Sequence, residues 1–288
     1  MKKYTASFFV AMAVFFSPLT AFADSAPGDV IVTLGNDLTK EQQTALLAEM
    51  GESEKSTVVK VTNQEEHQYL ARYISKAQIG TRALSSSKIT VGEEGSGLKV
   101  KTHNINWVTN EMYVNALTTA GVKNADVYVT APFPVSGTAG LTGIIKAYEA
   151  SSGVSIPEAQ KQVANEEMVK TGQLADSHGK EDAAKLISAI KEEFAKQQPK
   201  TDEEINVLIH EVSNQVNINL TESEVNGLVE LFKRMRDANI DWVALGDGLN
   251  QAKAQVDEFM NREETKSFVS SLSEFLKMVI QTIADVFR

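Results

Sequence analysis

Between positions 29 and 150, short β-branched runs alternate with stretches of helical spacing. Val30-Ile31-Val32-Thr33-Leu34 is apolar almost without alternation, the pattern of a strand buried on both faces, and Gly35 closes it. Leu38 to Gln42 then opens a helix through a Thr39-x-x-Gln42 capping box, in which each side chain satisfies a free backbone N–H, and Gly51 ends it. A second strand is predicted over 57–61. A second helix is predicted from Asn63, with Glu66 three residues on and Leu70, Tyr73 and Ile74 along one side. Strands over 88–91 and 98–102 flank Gly92 to Gly97, whose glycines and charges suit an exposed hairpin connection. A helix over 109–120 stops at Gly121. A last strand, 126–130, is expected to end before Pro132 and Pro134, and Ser136 to cap a helix running towards Tyr148.

After Ser151-Ser152-Gly153 the β pattern disappears. Apolar residues recur at three- and four-residue spacing over 157–169, 181–196, 202–216 and 222–235, as in Ile205, Leu208, Ile209, Val212 and Val216. Thr201 with Glu204 and Thr221 with Glu224 are two further capping boxes. The expected architecture is an α/β or α+β unit, residues 24–152, with about four to five short strands. An all-α region, 153–288, follows and ends in an amphipathic helix over 265–288.

Residues 1–23 stand apart from both. Lys2 and Lys3 precede an apolar stretch from Ala6 to Leu19, and Ala21-Phe22-Ala23 has the small-x-small spacing that a signal peptidase reads. The stretch is too short to span a membrane permanently. Export with cleavage after Ala23 is therefore expected, with a secreted, extracellular or wall-associated destination.

Composition then narrows the chemistry. The chain has no cysteine, which excludes disulfides, thiolate catalysis and zinc–thiolate sites. Its net charge is −10, and removal of Lys2 and Lys3 makes the mature chain more acidic still. Nucleic acid is not an expected partner, because phosphate backbones are held by clustered Lys and Arg.

Six segments carry a resemblance. They are Gly28 to Gly35, Asn63 to Leu70 with its Glu65-Glu66-His67 centre, Ala77-Gln78-Ile79-Gly80, Gly95-Ser96-Gly97-Leu98, Thr102-His103-Asn104-Ile105, and Val127 to Pro132. Together they resemble a family of secreted Gram-positive proteins of unknown function, typified by YpuA of bacilli. The resemblance implies a cell-envelope setting and supplies no catalytic residue.

Catalytic motifs fail on context. Ser85-x-x-Lys88, Tyr113-x-Asn115 and Lys170-Thr171-Gly172 match, in order, the three elements of penicillin-recognising serine enzymes. Ser-x-x-Lys recurs at Ser96, Ser177 and Ser188, however, and that chemistry needs the serine at a helix start and Lys-Thr-Gly on a strand. Here Ser85 leads into a strand and Lys170 falls on a helix. His67, His103, His178 and His210 are scattered, and Asn214 replaces the second histidine a zinc helix needs after His210-Glu211. Asp237-x-Asn239-x-Asp241 opens like a calcium loop but has Trp242 at the glycine position and Gly248 at that of the bidentate glutamate. No metal site, cofactor or catalytic residue is assigned.

Two features remain as candidate sites. Thr130, Ser136, Gly137, Thr138 and Gly140 mark a strand end and helix start whose free N–H groups could hold an anion; the competing reading is that the glycines only let the helix approach the sheet. Phe268, Leu272, Phe275, Val279 and Ile283 lie on one apolar arc of the terminal helix, opposite Glu274, Lys277 and Asp285. That arc suits packing, a protein partner or self-association better than a membrane surface, because an interfacial helix carries more Lys and Arg. The expected function is a secreted envelope binding or scaffold protein, the alternative being a hydrolase of a wall or surface polymer.

Overall fold

The structure is a computed structural model and describes residues 26–261. The segment expected to direct export, 1–23, and the apolar arc of Phe268, Leu272, Phe275, Val279 and Ile283 lie outside the described residues.

The fold is α+β. The elements of the first half are β1 (Val30–Gly35), α1 (Lys40–Glu49), β2 (Val58–Val61), α2 (Asn63–Leu70), α3 (Lys76–Ile79), β3 (Ser86–Val91), β4 (Leu98–Ile105), α4 (Asn110–Thr119), β5 (Ala125–Val135) and α5 (Thr138–Ser152). Five strands form one mixed sheet in the order β2-β1-β3-β5-β4. Because side chains alternate across a strand, β1 feeds two cores. Val32 and Leu34 pack with Leu46 and Leu47 of α1 and with Met50, its C-cap. Ile31 faces the opposite layer with Ile89, Val127 and Val129, against Met112 and Leu117 of α4 and Leu141 and Ile144 of α5.

Three local expectations need correction. Strands β3 and β4 do not form a hairpin: β5 lies between them, antiparallel to β3 and parallel to β4. Pro132 and Pro134 do not end β5, which continues to Val135. Pairing with β3 stops at Ser86 opposite Thr130, so beyond that point the β3 side of β5 needs no ladder donor, and a proline there costs no hydrogen bond. Finally, Thr62 rather than Asn63 caps α2, in a capping box with Glu65, which leaves Glu66 free to turn inward.

Five helices follow among the described residues: α6 (Glu158–His178), α7 (Lys180–Gln197), α8 (Asp202–Gln215), α9 (Glu222–Asp237) and α10 (Trp242–Asn261). Their core holds Phe194, Leu208, Leu231 and Phe232. Phe194 stacks on Trp242 with centroids 4.2 Å apart and tilts against Phe232 at 5.5 Å. Each such fully buried aliphatic or aromatic side chain contributes roughly 1.5–3 kcal/mol. Ala164, Met168 and Val169 of α6 instead join the sheet-side core, where α6 packs on α4. No helix among the described residues is long and apolar enough to cross a membrane.

Candidate functional site

The chain from the end of β5 into α5 turns sharply, and one residue makes the turn. Gly137 is the N-cap at φ 98°, a left-handed conformation that L side chains resist, and a Cβ there would lie 2.5 Å from Ile105 Cγ2 and 2.7 Å from the Tyr113 hydroxyl. Tyr113 donates to the Gly137 carbonyl at 2.5 Å and so pins the turn from below. Ser136 does not cap α5 as expected. Its hydroxyl lies 3.2 Å from that of Thr138, and no side chain caps the helix.

This turn forms one wall of an open cleft of about 350 Å³, with Phe133, Ser136 and Thr138 on that side. The opposite wall is Glu66 of α2 and the segment Gln78 to Ser85 that joins α3 to β3. Segment 78–85 is held by local bonds. Asp37 accepts from the Ala83 N–H at 2.7 Å, and His67 and Asn63 donate to the Gly80 carbonyl at 3.1 and 3.4 Å.

Glu66 is 1% exposed. Its two oxygens accept from Thr138 at 3.0 Å and from Asn63 at 3.1 Å. Burial pushes the carboxyl up to about 7 and the charge of Asp37 adds to the push, while the two hydrogen bonds only partly oppose it. At neutral pH the group is therefore shared between acid and carboxylate. A polar chain runs Ser136, Thr138, Glu66, Asn63 from the cleft into α2.

Two further groups in the lining are unsatisfied within the protein. Ser85 is only 3% exposed, and its hydroxyl has no hydrogen-bond partner among the described residues. Arg82 is exposed on the rim and makes no ion pair or hydrogen bond among the described residues. Phe133, 39% exposed, offers the lip an apolar contact.

The candidate residues read from the sequence divide. Ser136 and Thr138 line the cleft. Gly137 and Gly140 serve the close approach of α5, since a Cβ on Gly140 would lie 2.5 Å from the Tyr113 hydroxyl and 2.8 Å from Val129. Thr130 belongs elsewhere: with Tyr128 and His103 it hydrogen-bonds Glu49 at the end of α1. Burial would raise the Glu49 carboxyl, but those three bonds hold it below its ordinary value.

The serine-enzyme constellation does not assemble. Lys88 donates to the Met50 carbonyl at 2.7 Å and pairs with Glu52, Tyr113 is fully buried beneath Gly137, and Lys170 lies on α6 near Gly227. Among the described residues no group of three or more His, Asp or Glu could hold a metal ion.

Residues 34–252 match the model of a family described as protein of unknown function (DUF1002). The chain belongs to this family. It is also similar to the uncharacterized protein YpuA of Bacillus subtilis (strain 168), with 50% identity over 279 residues, 96% of each chain. No solved structure matches it. Glu66, Arg82, Ser85 and Thr138 all fall inside the stretch matched by DUF1002, and the resembling segments 63–70 and 77–80 border the cleft.

Proposed function

We propose that this DUF1002 protein is exported to the cell envelope and works there as a binding protein, holding a small polar ligand in the cleft between α2, segment 78–85 and the β5–α5 turn. The observation that carries the reading is the Ser85 hydroxyl: 97% of the residue is covered, yet its hydroxyl has no partner among the described residues. Ser85 Oγ is not among the buried side-chain atoms that lack a partner, so the oxygen is open to the cleft, and a hydroxyl held there on an otherwise covered residue is placed to bond whatever occupies it. The rim arginine and the Ser136–Thr138 pair supply further contacts. In this reading residues 24–152 hold the ligand, the helices after residue 153 buttress them, and the apolar arc read from the sequence of 265–288 is the contact for a protein partner or a second copy. Lys2, Lys3, the apolar stretch from Ala6 to Leu19 and Ala21-Phe22-Ala23 support the export part of the reading.

Native mass spectrometry of residues 24–288, equilibrated with small solutes from an envelope digest, tests the reading. A discrete adduct is expected on the wild type and is lost in Arg82→Glu, a rim change that leaves the core intact. Equal adducts on both proteins, or none, contradict it.

A second reading, a hydrolase of a wall or surface polymer, is favoured by one observation: a carboxyl raised to about 7 in a cleft suits general acid–base work. Both Glu66 oxygens already accept hydrogen bonds from within the protein, which favours holding over turnover. Release of soluble fragments from purified envelope by the wild type but not by Glu66→Gln would decide for hydrolysis.

A further inference from the structure

Every cation-, anion- and hydroxyl-bearing group around the cleft can be assigned a direction. Arg82 offers a guanidinium with no partner among the described residues, and a guanidinium only donates. The N–H groups of Thr138 and Ala139 fall in the first turn of a fifteen-residue helix and have no helical acceptor, whereas that of Gly140 is taken by the Gly137 carbonyl at 3.0 Å. Ser85 adds a hydroxyl nine-tenths covered and without a partner. Donors therefore predominate on the open side of the cleft. The acceptor that balances them inside the protein is Glu66, and it is turned to Thr138 and Asn63.

We infer that the cleft takes the anionic end of its ligand, a carboxylate or phosphate, between Arg82, Ser85 and the first turn of α5, and that binding this anion holds a proton on Glu66. The inference rests on the cleft being the ligand site. The overall negative charge of the protein does not prevent it, because charges on distant surfaces are screened beyond about 8 Å at physiological ionic strength, while the donors lie in the lining itself. The coupling follows from charge alone. With Glu66 ionised, Arg82 is offset by a carboxylate in the same lining; with Glu66 protonated, the lining carries a net positive charge that an anion neutralises. The groups facing Glu66 are Asn63 and His67 of its own helix, Asp37 from the β1–α1 turn, Arg82 from the rim, Thr138 of α5 and Tyr113 of α4. Among them Asp37 pushes in the same direction as an incoming anion.

The test is an NMR titration of residues 24–288 with four small probes, inorganic phosphate, acetate, N-acetylglucosamine and ethylammonium, at pH 6 and pH 8. Phosphate or acetate is expected to move the amides of Ser85, Thr138 and Ala139 and the Arg82 guanidinium signal, and the comparison of the two separates the phosphate from the carboxylate source. Acetate stays ionised across this range and so reads the proton coupling: its binding is expected to be tighter at pH 6, by up to about tenfold per pH unit above the Glu66 midpoint for a single coupled proton. Glu66→Gln, a fixed neutral analogue, should bind acetate with a clearly flatter dependence on pH. Arg82→Gln should weaken it by about tenfold or more, the loss of one charge-assisted contact. Shifts at these residues with N-acetylglucosamine or ethylammonium and none with either anion would overturn the inference while sparing the cleft as a site. Silence with all four probes would remove the site and the inference together. An anion that binds with the same pH profile in Glu66→Gln and the wild type would overturn the proton coupling.

Discussion

Lys191 of α7 donates to Glu167 of α6 at 2.9 Å, with both side chains wholly excluded from solvent. The pair is tied to the sheet half through α4. Lys191 also donates to the Asn115 carbonyl at 2.7 Å, Thr119 donates to Glu167, and Asn115 exchanges bonds with Ala184 and Ser188. Burial lowers the Lys191 ammonium from its ordinary range, and the Glu167 charge resists that. A pair of this kind adds little net stability over an apolar replacement, but either member left alone is costly.

Lys191→Met is therefore expected to destabilise the protein by about 3–5 kcal/mol, because Glu167 is left buried without its cationic partner. Urea unfolding measures it. Combining the change with Glu167→Gln should recover a large part of the loss. A single variant as stable as the wild type would mean that Glu167 does not depend on the lysine.

Glu66 gives a pH dependence of defined sign. Its carboxyl holds its proton more tightly folded than unfolded, with a midpoint of about 7 against 4.5. Below about 4.5 both states are protonated and the group is neutral to stability. Between 4.5 and 7 the unfolded chain releases the proton first, so stability falls as pH rises. Above 7 the loss is complete, on the order of 3 kcal/mol. Thermal unfolding from pH 4.5 to 8 should show this decline in the wild type and a flatter profile in Glu66→Gln. Parallel profiles would contradict the burial of this carboxyl.

Thr142 offers a gain. Its hydroxyl on α5 is buried and has no hydrogen-bond partner among the described residues, and Thr142 lines a small cavity with Asn165, whose side-chain oxygen is likewise unpartnered among them. Thr142→Val keeps the shape and removes the polar atom, so stability should rise by about 1–3 kcal/mol. A loss on chemical denaturation would show that the hydroxyl is solvated by a fixed water in that cavity.

Much of this architecture was legible in the chain. The unalternating run Val30 to Leu34 marks a strand covered on both faces, and the boxes at Thr39, Thr201 and Thr221 place three helix starts, because capping is local chemistry. The separation of β3 from β4 was not legible. Gly92 to Gly97 has hairpin composition, but the insertion of β5 between its flanking strands is set by long-range packing. Half of the cleft was legible for a related reason. Ser136 and Thr138 announce a helix start, whereas Glu66 was hidden by a one-residue ambiguity: Asn63 with Glu66 and Thr62 with Glu65 are equally good boxes on paper. The fold chooses Glu65, which also pairs with Lys146 at 2.6 Å, and Glu66 is thereby released to the cleft. Arg82 and Ser85 carry no motif for this role, since what distinguishes them is the absence of a partner, a property of the folded chain.

The central claim, that the cleft beside Glu66 and Ser85 is the ligand site, is tested most directly by hydrogen–deuterium exchange of residues 24–288 with and without an envelope digest. Slower exchange is predicted in two stretches far apart in sequence, 78–85 and 133–140, and in both together. Unchanged exchange there, or protection confined to the helices after residue 157, would contradict the account.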